Sequence, residues 1–362
     1  MKFSTLLLSL SCITSASPFT FEFVPAANVT SFDINSTGQL VFVAAPPGQS
    51  PGVYTWSSGQ LSFVGAPTII GFPIRINDLG TSAWVGNEGI RTSSGAFVAV
   101  NGAQSVAIDN AGNLAYGLGY ASAFGIAALG ISPQVFPSPL LDAFISDVAM
   151  NDAGDILIRA YLASGPSEHL ILYRDGVFTV IDSSAPGTSL TDHGGPALNN
   201  AGIVAYYRYN ACGHSIISGS PSNLTTLAAP VACGGQFGTI YRGVQLSDVG
   251  TFAFVAEQME GTRALFSGPD PIRDRVVALN DPLFGSALLN FGGSVNSFAM
   301  SDDGRIAFAA NLADGRTGIV LATPASDVPE PTSFSLLLLS AAAMFARRRS
   351  CGRNSIRSAG PQ

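Results

Sequence analysis

The chain has 362 residues, of which 47% are apolar, so it can bury a sizeable core and general disorder is excluded. Only 11% of residues are charged, whereas Gly (40) and Pro (22) are abundant, which favours a turn-rich β protein. The formal net charge is −7, and it becomes −13 for residues 17–346, which omit six basic residues at the two ends. Because an acidic body repels phosphate backbones, nucleic-acid binding is disfavoured.

The first sixteen residues have the three regions of a secretion signal. Lys2 precedes an apolar run that includes Leu6–Leu8, and small residues follow up to Ala16. The run is too short to span a membrane stably, so we predict a signal peptide over residues 1–16. A lipoprotein acceptor at Cys12 is the weaker alternative, because Ser9 stands where a large aliphatic residue is expected.

The body, residues 17–327, is built from a repeated turn-and-strand element. Each copy has Asn, Asp or Ser at its first position, Gly at its fourth, and an Ala-like residue followed by an apolar, usually aromatic, residue at its end. The seven copies are Asn35–Phe42, Asn77–Trp84, Asp109–Tyr116, Asn151–Ile158, Asn199–Tyr206, Ser247–Phe254 and Ser301–Phe308. Their turn glycines are Gly38, Gly80, Gly112, Gly154, Gly202, Gly250 and Gly304.

Each copy predicts a tight turn that leads into a strand. The first side chain can accept a hydrogen bond from the backbone two residues on, and Gly tolerates a positive φ. Units of 32 to 54 residues have the length of a four-stranded blade, so the sequence predicts an all-β, seven-bladed β-propeller. Phe19, Phe21 and Phe23 alternate with polar residues and are expected to form a strand that closes the last blade beside Thr317–Leu321. A β-solenoid or a paired sandwich is the alternative, although the unequal spacings disfavour a solenoid.

This element resembles the tandem NxxGxxAF repeat of bacterial surface proteins, most closely at Asn199–Tyr206 and Ser301–Phe308. The resemblance covers most of residues 30–322. It implies an architecture and a surface location, and it supplies no catalytic residues.

Cys212 and Cys233 are the only cysteines in the body. A disulfide between them is expected outside the cytoplasm, where oxidised cysteines persist. Two buried reduced thiols are the alternative. No Cys-x-x-Cys occurs and only three histidines are present, so neither a metal centre nor a cofactor is expected.

Candidate catalytic groups are few. Asp192 and His193 adjoin in a Gly-flanked loop, where His is more often solvated than functional. Acids that could converge on a propeller channel, judged by charge alone, are Asp78, Asp147, Glu168, Asp192, Glu257 and Asp274.

Two pairs of acids, Asp302 with Asp303 and Asp152 with Asp155, lie inside repeat turns. Because we take Asn200 and Val249 as their uncharged equivalents in other copies, we interpret both pairs as turn formers. Weak calcium binding at one or two turns is the alternative.

The C-terminal region combines three unlike elements. Val328, Pro329, Glu330 and Pro331 precede an apolar stretch, Thr332–Ala346, and a basic cluster, Arg347, Arg348 and Arg349. A helix over these fifteen residues would be about 22 Å long, shorter than the ~30 Å hydrocarbon core. The arginines would hold its end, and the basic tail 350–362, in the cytoplasm.

This region resembles the PEP-CTERM sorting domain of Gram-negative bacteria that make exopolysaccharide. The resemblance covers Val328–Arg349 and implies recognition and removal of the tail by an exosortase-type enzyme after transient anchoring in the inner membrane. Delivery to the cell surface or extracellular matrix would follow. A simple membrane anchor is the alternative.

Together these features predict an exported, non-enzymatic surface protein that binds carbohydrate or another envelope component. A propeller hydrolase acting on polysaccharide or lactone is the main alternative, and it requires three or more acids in one pocket. A purely structural spacer is a third possibility.

Overall fold

The computed structural model describes residues 19–66, 73–118, 123–127, 134–137, 143–162, 168–184, 189–190, 195–291 and 298–325. Within these ranges the protein is all-β apart from one short 3-10 helix, Val231–Cys233. No helix in the described ranges has the length and apolarity needed to cross a membrane. The predicted leader, the sorting motif and the apolar C-terminal helix lie outside the described residues.

The strands form seven antiparallel sheets, which follow one another along the chain as blades. The chain begins with β1 (Phe19–Pro25), which belongs to the last blade. Blade 1 contains β2 (Ala27–Ile34), β3 (Leu40–Ala45), β4 (Gly52–Ser57) and β5 (Gln60–Gly65). Blade 2 contains β6 (Ile74–Ile76), β7 (Ser82–Gly86), β8 (Gly89–Thr92) and β9 (Phe97–Ala99). Blade 3 contains β10 (Ala103–Ile108), β11 (Leu114–Leu118), β12 (Ala123–Ala127) and β13 (Gln134–Pro137).

The remaining blades follow the same order. Blade 4 contains β14 (Ala143–Met150), β15 (Ile156–Leu162), β16 (Glu168–Arg174) and β17 (Val177–Ser183). Blade 5 contains β18 (Ser189–Leu190), β19 (Ala197–Leu198), β20 (Val204–Asn210), β21 (Gly213–Ser220) and β22 (Asn223–Ala228). Blade 6 contains β23 (Ile240–Leu246), β24 (Phe252–Glu257), β25 (Arg263–Phe266) and β26 (Arg275–Ala278). Blade 7 contains β27 (Pro282–Leu283), β28 (Ser286–Phe291), β29 (Phe298–Met300), β30 (Ile306–Leu312), β31 (Thr317–Pro324) and β1.

The prediction of a seven-bladed propeller is confirmed. Blade 2, whose repeat spacing is only 32 residues, still has four strands because each is only three to five residues long. The N-terminal strand closes the ring as expected, since β1 pairs with β31 in antiparallel register from Phe19 opposite Pro324 to Pro25 opposite Gly318.

The core lies between successive blades. In each blade we call the strand before the repeat turn the first strand and the strand after it the second strand, which in blade 7 are β29 and β30. The last residue of each repeat copy is on the second strand and is buried in all seven blades. These residues are Phe42, Trp84, Tyr116, Ile158, Tyr206, Phe254 and Phe308. Strand residues on one face of a sheet alternate with those on the other, so each blade packs against both of its neighbours. One cluster, for example, joins Tyr207 and Ile216 of blade 5 to Val244 and Phe254 of blade 6.

Candidate functional site

The repeat turns connect the first and second strands of each blade and are built alike. The first residue of each turn is buried in all seven copies. The backbone N–H of the turn glycine donates to the carbonyl of this first residue, as in Gly202 to Asn199 at 2.9 Å. The seven glycines have φ between 72° and 86°, a region that L side chains rarely adopt.

The first side chain of each turn accepts a hydrogen bond from the backbone N–H four residues on. Asn199 Oδ1 accepts from Ile203 at 2.9 Å, and Ser301 Oγ accepts from Arg305 at 3.0 Å. We expected the partner two residues on, and that expectation is wrong. The N–H donor belongs to the residue immediately before the second strand, so the side chain closes the whole turn.

Asparagine at the first position also connects neighbouring blades. Asn35 Nδ2 donates to the carbonyl oxygen of Asn77 at 3.0 Å, and Asn199 Nδ2 donates to that of Ser247 at 3.1 Å. One amide therefore stabilises its own turn and binds the next blade, which Asp or Ser at this position does not do.

The second residues of the turns form a polar ring at one end of the central channel, which we call the mouth ring. It consists of Ser36, Asp78, Asn110, Asp152, Asn200, Asp248 and Asp302. In blades 1 to 5, the backbone N–H of each member donates to the side-chain oxygen of the next member at 2.7–2.8 Å. In blade 6, the N–H of Asp248 donates instead to the main-chain oxygen of Asp302. The carboxylates of Asp78, Asp152 and Asp248 are thus occupied in joining blades.

Asp302 differs from the other three acids of the mouth ring. Among the described residues its carboxyl group has no hydrogen-bond partner, and no bond joins it to Ser36 across the closing boundary. Burial raises the pKa of Asp302 to about 7, and the nearby negative charges of Asp248, Asp78 and Asp152 act in the same direction. The carboxyl group of Asp302 can therefore take up or release a proton near neutral pH.

The channel behind the mouth ring is narrow, with a cavity of about 160 Å³ lined by the first strands of all seven blades. It also holds Asp33, whose pKa is raised to about 6 by burial, although Arg75 and the N–H of Ile76 oppose this shift. Of the described acids that line the channel, four belong to the mouth ring: Asp78, Asp152, Asp248 and Asp302. The other two, Asp33 and Asp147, lie deeper in the channel.

The acids predicted by charge alone are divided between channel and blade edges. Asp78 and Asp147 line the channel. Glu168 is buried and accepts from Arg159 at 3.3 Å; the same guanidinium binds Asp147 at 3.1 Å. Glu257 accepts from the hydroxyl of Tyr241.

Of the remaining sequence candidates, Asp274 is not among the residues that line the channel. Asp274 accepts from the N–H of Asp270 at 2.8 Å in a loop of blade 6. His214 contacts Tyr209 and the carbonyl of Ile240, away from the mouth ring. Asp192 and His193 lie outside the described residues.

The paired acids of the turns have separate partners. Asp303 accepts from Ser301 and pairs with Arg305 at 3.1 Å. Asp155 accepts two hydrogen bonds from Arg174, which hold the pKa of Asp155 below its usual value. Among the residues described, no three His, Cys, Asp or Glu side chains are arranged to hold a metal ion.

Cys212 and Cys233 form a disulfide, with their Cα atoms 5.4 Å apart. The bond joins the hairpin between β20 and β21 to the 3-10 helix that leads towards blade 6.

The comparisons with known proteins agree on architecture. No protein-family model matches the chain, and no curated protein matches it. A streptogramin B lyase structure is similar, with a TM-score of 0.53 and 11% identity, covering 84% of this chain and 97% of the lyase chain. A virginiamycin B lyase from Staphylococcus aureus, in an inactive form with quinupristin, has a TM-score of 0.53 at 8% identity and covers 83% and 99% of the two chains.

A third similar structure is the β-propeller domain of the Trilobed protease from Pyrococcus furiosus. It has a TM-score of 0.52 and 13% identity, and it covers 70% of this chain and 86% of that one. At these identities the similarity shows the fold alone. The chain is a β-propeller. Its ligand or substrate must be argued from its own residues.

Sequence reasoning missed the mouth ring. In all seven copies the second residue of the turn has an acid, an amide or a hydroxyl side chain, and this regularity is visible when the copies are aligned. Comparison of Asp302 with the uncharged Asn200 hides this regularity, because the equivalents of Asp302 also include Asp78, Asp152 and Asp248. The alignment does not show that these seven positions meet, because the copies are 32 to 54 residues apart along the chain and come together only in the closed ring.

Proposed function

We propose that this protein is an exported, non-catalytic propeller of the cell surface or extracellular matrix that binds carbohydrate or another envelope component. The observation that carries the proposal is the occupation of the channel acids. Asp78, Asp152 and Asp248 each accept a backbone hydrogen bond from the preceding blade, which is a structural role. Among the described acids of the mouth ring, Asp302 is the one whose carboxyl group has no hydrogen-bond partner, whereas acid–base catalysis of glycoside hydrolysis uses a pair of carboxyl groups.

Two features support export. The predicted leader 1–16 and the PEP-CTERM-like segment Val328–Arg349 frame the propeller at its two ends. The disulfide between Cys212 and Cys233 is of a kind that persists in oxidising compartments. We therefore propose transient anchoring in the inner membrane, processing by an exosortase-type enzyme, and release to the surface or matrix.

A binding experiment tests the non-catalytic proposal. The full chain would be applied to a glycan array and to isolated extracellular matrix, and retention would be compared with that of heat-unfolded protein. We expect the folded chain to be retained on at least one polymer without shortening it. If no polymer or matrix fraction retains the protein, the proposed binding function is wrong.

A hydrolase acting on polysaccharide or lactone is a second candidate, favoured by Asp302. A carboxyl group with a pKa near 7 in an acidic channel has the property of a general acid. Release of reducing sugar or ring-opened lactone by the wild type, lost in Asp302→Asn but retained in Asp303→Asn, would support this candidate. If the wild type cleaves none of the polymers that retain it, the hydrolase hypothesis fails.

A further inference from the structure

A second cavity lies on the boundary where the ring closes, between blade 7 and blade 1. Its volume is about 320 Å³, within the range of small-molecule sites, ~300–1,000 Å³. We call it the seam cavity. Its lining residues are Ala26, Ala27, Asn28, Val29, Ala309, Asn311, Thr317 and Gly318.

An irregularity in β2 helps to shape this cavity. The pairing of β2 with β3 shifts register between Ala27 and Ser31, so the strand bulges. Asn28, within the bulge, has a φ of 54°, in the left-handed region. Bulges re-aim side chains next to functional sites, and strained backbone often occurs there. The bulge therefore presents the amide of Asn28 at the cavity.

The polar groups of the seam cavity are neutral. Asn28 is exposed and Asn311 is half-buried, and among the described residues neither amide has a hydrogen-bond partner. Thr317 Oγ1 is occupied, since it donates to the carbonyl of Ala26 at 3.1 Å. None of the described residues that line the cavity has a charged side chain.

These groups define the class of ligand. Each amide offers an oxygen acceptor and two N–H donors, which match hydroxyl groups that both donate and accept. Alanine and valine walls suit the C–H face of a small ring. Without a charged lining residue, the cavity offers an acidic or basic ligand no partner.

We propose that the seam cavity binds a neutral saccharide unit through the amides of Asn28 and Asn311. This inference rests on the proposed carbohydrate-binding function and assigns it a site. The site is separate from the mouth ring, whose turns lie at the first-to-second-strand end of the blades. Asn28 is near the start of β2, a first strand, and Asn311 is near the end of β30, a second strand. The cavity therefore lies at the end of the blades opposite to the mouth ring.

Calorimetric titration of the full chain with neutral glucose, galactose and N-acetylglucosamine oligomers tests the proposal, with a galacturonate oligomer as the charged comparison. Asn28→Gly removes the amide but keeps the left-handed backbone accessible. Asn311→Ala removes the second amide. We expect each variant to bind the best neutral oligomer about tenfold more weakly, and the double variant about 100-fold, by the loss of one or two hydrogen bonds.

Asn280→Gly is the matched control, because Asn280 is an exposed asparagine with φ of 70° that is not among the residues lining the seam cavity. It should bind like the wild type, and all variants should keep the wild-type melting temperature within a few degrees. If the wild type binds saccharides and both cavity variants bind equally well, the seam cavity is not the site, although the proposed function stands. If the wild type binds no saccharide, the seam-cavity proposal fails, and retention on extracellular matrix then decides the proposed function. Preference for the galacturonate oligomer would overturn the neutral class.

Discussion

Asparagine at the first position of a repeat turn uses both ends of its amide. In Asn199 the oxygen accepts from Ile203 within the turn, and the nitrogen donates to Ser247 of the next blade. Removing one partner of a buried hydrogen bond lowers the stability of the folded protein, because the remaining polar group stays buried without a partner. The residue therefore contributes to its own turn and to the joint between two blades.

Asn199→Asp separates these two contributions. Aspartate keeps the acceptor for Ile203 but places a second acceptor against the carbonyl of Ser247. We expect the free energy of unfolding to fall by about 1–3 kcal/mol in urea denaturation at pH 7. Asn223→Asp, at an exposed position, is the control and should change it by less than about 0.5 kcal/mol. Equal stability of the two variants would show that the bond between blades contributes little.

Asp302 should make stability depend on pH in a defined direction. Its pKa in the folded protein, about 7, is above the ordinary value of 3.8, so folding favours the protonated form. The stabilisation is complete below about pH 4 and is lost as the pH rises through 7.

Asp302→Asn should therefore be more stable than the wild type at pH 8, by roughly 1–2 kcal/mol after allowance for solvent screening in the open channel. The difference should vanish near pH 4 in melting curves. Asp314→Asn, where Arg316 lowers the pKa of an exposed carboxyl group, should show no gain at pH 8. A constant difference between pH 4 and pH 8 would contradict the assignment to Asp302.

At the scale of elements, the joints between blades are unequal. Blade 5 binds blade 6 through the Asn199 amide and through the mouth-ring bond of Asn200 to Asp248. Blade 7 and blade 1 have no corresponding bond between their described turns, and the seam cavity lies on the same boundary. There an apolar cluster joins the two blades, and in it the buried Val24 of β1 packs with Ala26 and Ile319.

Val24→Asp should weaken this joint selectively. It places an unpaired carboxylate at a position that is 1% exposed, and we expect a loss of about 3 kcal/mol or more in the free energy of unfolding. Hydrogen exchange should show reduced protection of β31. The same change at Val177, which is 61% exposed on an outer strand, should cost less than about 0.5 kcal/mol. Unchanged protection of β31 would mean that β1 is not needed for closure.

The blades could be predicted from sequence because the turn and the buried aromatic recur with each unit. The site could not. Asp147 and Glu257 are both acids on strands, yet Asp147 lies on a first strand beside the channel and Glu257 ends a second strand. Which strand lines the channel follows from sheet order, and which turns meet follows from closure, so neither can be read from local residue patterns. The bulge at Asn28 likewise has no sequence pattern that we recognised.

At the scale of the whole molecule, the propeller and the proposed sorting segment would have separate tasks. The propeller would bind, and Val328–Arg349 would direct the chain to the surface. Changes in one should then leave the other intact.

Alanine substitution of Pro329, Glu330 and Pro331 together should keep the protein in the inner-membrane fraction, because the exosortase-type enzyme would no longer recognise it. Fractionation and immunoblotting would follow its location, and saccharide binding of the purified variant should be unchanged. Asn354→Ala, in the tail beyond the arginines, is the control and should reach the surface. Normal surface delivery of the triple variant would contradict the sorting proposal.

The pairing of β1 with β31 has a consequence for how the molecule folds. The hydrogen bond from Thr20 to Thr323 joins residues 303 positions apart, whereas the other strand pairings within blades are between near neighbours along the chain. Contacts of such long sequence separation carry the largest loop-closure entropy and form late. Blades 1 to 6 can assemble progressively as the chain becomes available, but the seventh stays incomplete until its two distant strands meet. Closure is therefore expected to be the rate-limiting step of folding, and the same boundary is where the folded ring should first open.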